Sequence, residues 1–172
     1  MQNLFSYPLV VEDISSAEST YELRADNAAL AQIAEILKVR NAKSFNARIH
    51  TKLNKKEHRL DVWGRVDAEL ELQSVISLEY FFKKYETEFN IFFDTKATAK
   101  EVKELDLDFD EDAPDVIEGG KIDLGDIAIE QIALVMEDYP RKDGETFSFA
   151  SEFDEETTEK MNPFSVLKKL KK

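Results

Sequence analysis

Residues 44–72 read SFNARIHTKLNKKEHRLDVWGRVDAELEL, and their period decides the fold. Phe45, Ala47, Ile49, Thr51 and Leu53 share one parity, while Asn46, Arg48, His50 and Lys52 share the other. That is the alternation of a strand with one buried face. After the polar turn NKKE the pattern resumes. Leu60, Val62, Gly64, Val66, Ala68, Leu70 and Leu72 then point inward, and Arg59, Asp61, Trp63, Arg65, Asp67, Glu69 and Glu71 outward. Two such runs joined by a short polar turn predict an antiparallel hairpin with one face on the core and one in water.

On the N-terminal side, DNAALAQIAEILKVR (26–40) predicts a helix. Asp26 is its N-cap, Leu30, Ile33, Ala34 and Leu37 form the apolar stripe, and Lys38 and Arg40 stand at the favourable end of the dipole. LFSYPLVV (4–11) reads as a short strand that Pro8 confines to an edge, and YELRA (21–25) as a weaker one. On the C-terminal side, TEFNIFF (87–93) is a further strand. IDLGDIAIEQIALVMEDYP (122–140) predicts a second helix, capped by Asp123, apolar on most sides and therefore buried, and stopped by Pro140.

Segments 101–120 and 141–160 are acidic and predict loops or flexible segments, although Leu105, Leu107 and Phe109 alternate and could add an edge strand. The chain ends in MNPFSVLKKLKK (161–172), which predicts a short helix over 162–171. Asn162 is its N-cap and Pro163 its first residue, with Phe164, Leu167 and Leu170 on one face. The expected architecture is a single α+β domain over residues 1–172: an antiparallel sheet, two main helices and the short C-terminal helix. Closure of the sheet into a barrel is left open as an alternative.

Formal net charge is -13, but the charge is sorted by segment. Residues 1–100 carry 15 acids and 14 bases, residues 101–159 carry 21 acids and 4 bases, and residues 160–172 carry five lysines and no acid. Within the first block, residues 38–65 hold nine bases against Glu57 and Asp61. A partner therefore meets opposite signs on different segments.

Zero cysteines exclude disulfides, thiolate nucleophiles and thiolate zinc sites, and the two histidines, His50 and His58, supply little for histidine-led catalysis. No phosphate loop, nucleophile elbow, zinc-protease or dinucleotide motif occurs. No apolar run reaches the roughly 18 residues of a membrane helix, and the first residues lack a secretory pattern. A cytoplasmic protein without a cofactor, small-molecule substrate or membrane partner is expected.

The outward parity of the hairpin places Arg48, His50, Lys52, Arg59 and Arg65 around Trp63, the sole tryptophan. Cations neutralise phosphates and a flat indole stacks on an unpaired base, so this face is a candidate RNA platform. The alternative is that Trp63 packs under a neighbouring element and the bases solvate a sheet face. Asp106, Asp108, Asp110, Glu111 and Asp112 lack the glycine and terminal glutamate of a calcium loop. They form a candidate surface for a basic protein, or a solvated segment. Lys168, Lys169, Lys171 and Lys172 are candidate secondary phosphate contacts.

Four landmarks, in order, carry a family resemblance: the strand around Gly64, SVISLEYF (74–81), the helix IDLGDIAIEQIALVMEDYPRK (122–142) and NPFSVLKKLK (162–171). Their order and spacing resemble the YceD-like family, the large ribosomal RNA subunit accumulation proteins, and most closely its alphaproteobacterial branch. Many members carry Cys-x-x-Cys where this chain has Ser74 and Ser77, so the resemblance implies no metal here. It implies a non-enzymatic factor supporting large-subunit ribosomal RNA accumulation and ribosome assembly, with that RNA or a basic ribosomal protein as partner. One rival is an acidic holder of a basic ribosomal protein without RNA contact. Another is an RNA-processing enzyme using carboxylate-bound magnesium.

Overall fold

The two alternating runs pair as their parity requires. In the structure, a computed structural model that describes residues 4–96, 115–117 and 119–146, β3 (Asn41–Asn54) and β4 (Arg59–Gln73) form an antiparallel hairpin. Ile49 stands opposite Gly64 and His50 opposite Trp63. Apart from the half-buried Gly64, the inward residues of both strands are buried, with Ile49, Leu60, Val62, Val66 and Leu70 wholly inaccessible. Gly64 lets the strands approach at the middle of the hairpin: a Cβ there would lie 2.2 Å from the Arg48 carbonyl oxygen and 2.9 Å from the Ile49 Cα.

β1 (Pro8–Val10) comes first in the chain, and β2 (Ser19–Arg24) lies outside β3. β5 (Tyr80–Asp94) lies outside β4, and β6 (Asp115–Val116) runs parallel beside the end of β5. The five-stranded order is therefore β2-β3-β4-β5-β6. β7 (Lys121–Asp123) pairs with β1 in a separate two-stranded ribbon, where Pro8 occupies the edge position that its missing N–H demands.

Neither sheet closes, which corrects the barrel alternative. A barrel needs its outer strands to pair along their length. Here the six-residue β2 and the two-residue β6 flank strands of 14 and 15 residues and do not meet.

α1 (Asn27–Ile36) connects β2 to β3, and the Asp26 side chain accepts the Ala29 N–H at 2.8 Å. Ala29, Ile33 and Ala34 bury its inner stripe. The helix stops before the two expected basic residues. Lys38 adopts the left-handed φ of 56°, and the Arg40 N–H already donates to Glu71 of β4. α2 (Leu124–Val135) is capped by Asp123, whose Oδ1 accepts from Gly125 and Asp126. Leu124, Gly125, Ile127, Ala128, Ile129 and Ile132 bury its inner side, while Asp126 and Glu130 are exposed.

Two expectations for α2 are corrected. The helix ends at Val135, well before Pro140, and its last turn faces solvent, with Leu134 71% and Val135 41% exposed. β5 is also longer than expected, beginning at Tyr80. Its core-facing row is Phe81, Lys83, Tyr85, Thr87, Phe89, Ile91 and Phe93, while Tyr80, Phe82 and Phe92 lie on the other face. Aromatics on both faces and a lysine in the core row hide the alternation.

These elements belong to one unit that ends at Lys142. The acidic residues 106–112, the expected C-terminal helix 162–171 and Lys168, Lys169, Lys171 and Lys172 lie outside the described residues. Among the described residues, no helix is long and apolar enough to cross a membrane.

Candidate nucleic-acid interface

Register determines which side chains meet on the outward face. One row across the sheet runs Glu22, Arg48, Arg65, Glu88, and the next runs Thr20, His50, Trp63, Asn90. All six hairpin residues expected to share this face do so. Arg48, His50, Trp63 and Arg65 also line one open depression of about 870 Å³, together with Arg24, Asn46 and Asn90. Lys52 and Arg59 stand nearer the hairpin turn and do not line it.

At one end of the depression the His50 and Trp63 rings are stacked, 5.5 Å between centroids and 13° from parallel. His50 Nδ1 is held 3.0 Å from Thr20 Oγ1 and 3.1 Å from a Glu18 carboxylate oxygen. Trp63 is half-buried, so part of its surface is open to solvent. This geometry keeps an aromatic platform in place among groups that donate and accept hydrogen bonds.

The arginines are not bare cations. Arg48 donates from Nε and Nη2 to Glu22 Oε1 at 3.1 and 2.7 Å, and Arg65 meets Glu86 at 2.5 Å. Arg59 meets Asp61 at 2.6 Å and lies 4.2 Å over the Phe92 ring. Lys52 makes no ion pair among the described residues. Exposed pairs of this kind contribute about 0–1 kcal/mol, so an arginine can exchange its carboxylate for a phosphate at small cost.

Glu18, Glu22 and Glu86 are the parts of this face that parity could not supply, because two of them come from the β2 side and one from β5. Two further aromatics extend the face toward the other end of the sheet. Arg40 lies 4.1 Å over the Tyr80 ring and Lys43 5.5 Å over Phe82.

Ser74 and Ser77 sit in a self-contained turn at the end of β4. Ser74 is fully buried, and its Oγ accepts the Ile76 and Ser77 N–H groups at 3.1 and 3.3 Å. The turn is closed by Leu78 N–H donating to the Ser74 carbonyl and is tied to the segment after α2 by Val75 N–H donating to Pro140. A hydroxyl already taken by two backbone donors does not fit a soft metal, and Ser77 is exposed. Among the described residues no group of three His, Asp or Glu side chains is placed to hold a metal ion.

Away from the depression, burial pushes the Tyr85 phenol up to about 12, with the Glu137 carboxylate adding to the effect. Lys83 pairs with the same carboxylate at 2.5 Å. This group faces α2, not the depression.

Comparison with known proteins adds one finding. No curated protein and no solved structure matches the chain. A family model described as "Large ribosomal RNA subunit accumulation protein YceD" matches residues 62–171. That span starts at Val62 beside the stacked Trp63, includes β5 and α2, and covers more than half of the chain. The chain belongs to the YceD family, whose name implies a role in accumulation of the large ribosomal RNA.

Proposed function

We propose that this protein is a non-enzymatic factor for accumulation of large-subunit ribosomal RNA and that it contacts that RNA through the outward face of the β3–β4 hairpin. The observation that carries the reading is the gathering of Arg48 and Arg65 with the stacked His50–Trp63 pair in one open depression. An unpaired base extends the stack on Trp63, and Arg48 and Arg65 exchange Glu22 and Glu86 for flanking phosphates. Lys52 and Arg59 continue the contact toward the hairpin turn. The tail lysines Lys168, Lys169, Lys171 and Lys172 serve as secondary phosphate contacts.

The carboxylates interleaved on this face disfavour indiscriminate coating of RNA. A phosphate must displace a carboxylate, so only an RNA that also offers a base for Trp63 gains from the exchange. Crosslinking in cells, followed by sequencing of bound RNA and mapping of the crosslinked peptide, tests the reading. Large-subunit RNA attached to the peptide that contains Trp63 is the expected result. Recovery of a basic protein through residues 106–112, unchanged by nuclease and without RNA crosslinks, would favour the acidic-holder rival instead.

A further inference from the structure

A second concave surface lies at the Tyr80 end of the sheet, between the end of α1 and α2. It is a groove of about 1100 Å³. Its floor is apolar: Ile36, Val39 and Leu72 on one side, Ile129, Ala133 and Met136 on the other. Ile36 is 47% exposed, although burial of its aliphatic side chain would be favourable. The α2 residues recur at intervals of four and three, so they form one ridge along the helix.

Beside that ridge runs an acidic one. Asp126 and Glu130 share the neighbouring stripe of α2, and Glu137 and Asp138 follow beyond the end of the helix. Against these four carboxylates the groove presents Lys38 and Arg40, and Arg40 is engaged by Glu71 and the Tyr80 ring. Glu137 is paired with Lys83, but Glu130 and Asp138 make no ion pair among the described residues. An apolar floor with a carboxylate rim is complementary to an apolar stripe flanked by cations.

We infer that the α1–α2 groove is a docking site for a basic amphipathic helix of a partner protein. Its apolar residues at i, i+3, i+4 and i+7 seat against Ile36, Ala133 and Met136, and its lysines or arginines reach Glu130 and Asp138. No RNA contact is required, so the inference stands or falls separately from the reading of the hairpin face.

The test uses the full chain and a synthetic helical peptide of about 14 residues, with leucines at that spacing and lysines elsewhere. The control peptide has glutamate in place of lysine. The lysine peptide should bind and the glutamate peptide should not. Glu130→Gln with Asp138→Asn should weaken binding several-fold.

Ala133→Glu is the decisive variant. Ala133 is exposed on a helix, so the fold tolerates the change, and the new carboxylate raises the negative charge while obstructing the floor. Groove occupancy predicts about tenfold weaker binding, a difference of about 1.4 kcal/mol. General attraction to an acidic protein predicts equal or tighter binding, and that result overturns the proposal. So does a groove that takes up no peptide, or a self-association that Ala133→Glu abolishes, which would assign the groove to a second copy. Trp63→Ala with Arg65→Ala should leave peptide binding unchanged.

Discussion

The His50 imidazole lies against the Trp63 indole, with centroids 5.5 Å apart and planes 13° from parallel, across the β3–β4 register that places the two residues opposite each other. The pair occupies the middle of the outward face, and Trp63 is the only tryptophan in the chain. Its emission therefore reports this face alone. Addition of large-subunit ribosomal RNA should quench it, and added salt should reverse the quenching as phosphate contacts are lost. Emission that stays constant while RNA is bound by another measure would move the contact away from the hairpin.

Gly64 is needed for the approach of the two long strands. In Gly64→Ala the new methyl group meets the Arg48 backbone oxygen, which belongs to a paired strand and cannot turn aside. The expected cost is about 1–3 kcal/mol. Thermal unfolding should show a fall of several degrees, and an unchanged midpoint would mean that the strands are further apart than described.

Thr51 offers the opposite case. It is fully buried on the core face, and its Oγ1 has no hydrogen-bond partner among the described residues. Valine has the same shape without the hydroxyl, so Thr51→Val should stabilise the fold by about 1 kcal/mol. For a chain of this size that is a rise of about 2–4 °C in Tm. A lower Tm would reveal a partner for the hydroxyl.

Tyr85 supplies the pH dependence. Burial is the main reason that its folded phenol holds its proton to about 12, whereas the ordinary value is 10.0. Between those values the unfolded chain binds fewer protons than the folded one, so stability falls as pH rises from about 10 to about 12. This contribution is fully present below 10. In an ultraviolet absorbance titration, one of the five tyrosines should ionise last, and Tyr85→Phe should remove that step. Glu137→Gln should lower it only in part, because burial remains. A last step that survives Tyr85→Phe would contradict the assignment.

Much of this arrangement is legible in the sequence because it depends on parity. A period of two over residues 44–72 places Trp63 opposite in sense to Val62 and Val66 without any knowledge of what lies above the sheet. Asp26 and Asp123 mark both helix starts, since a carboxylate before an apolar run has an N–H to cap. The rest depends on register or on packing. Nothing in the spacing of Glu22, Arg48, Arg65 and Glu86 says that the arginines meet those carboxylates. β5 is obscured by Tyr80 and Phe82 on the outward face and Lys83 on the inner one. The end of α2 misleads because Leu134 and Val135 look like core residues yet are exposed, and the α1–α2 groove comes from helices far apart in sequence.

The most direct test of the central claim is the affinity of the Trp63→Ala, Arg65→Ala double variant for large-subunit ribosomal RNA across a salt series. Base stacking contributes about 1–3 kcal/mol, so binding should weaken by about 5- to 100-fold, with a shallower salt slope and a nearly unchanged Tm. Equal binding by variant and parent at every salt concentration would contradict the account.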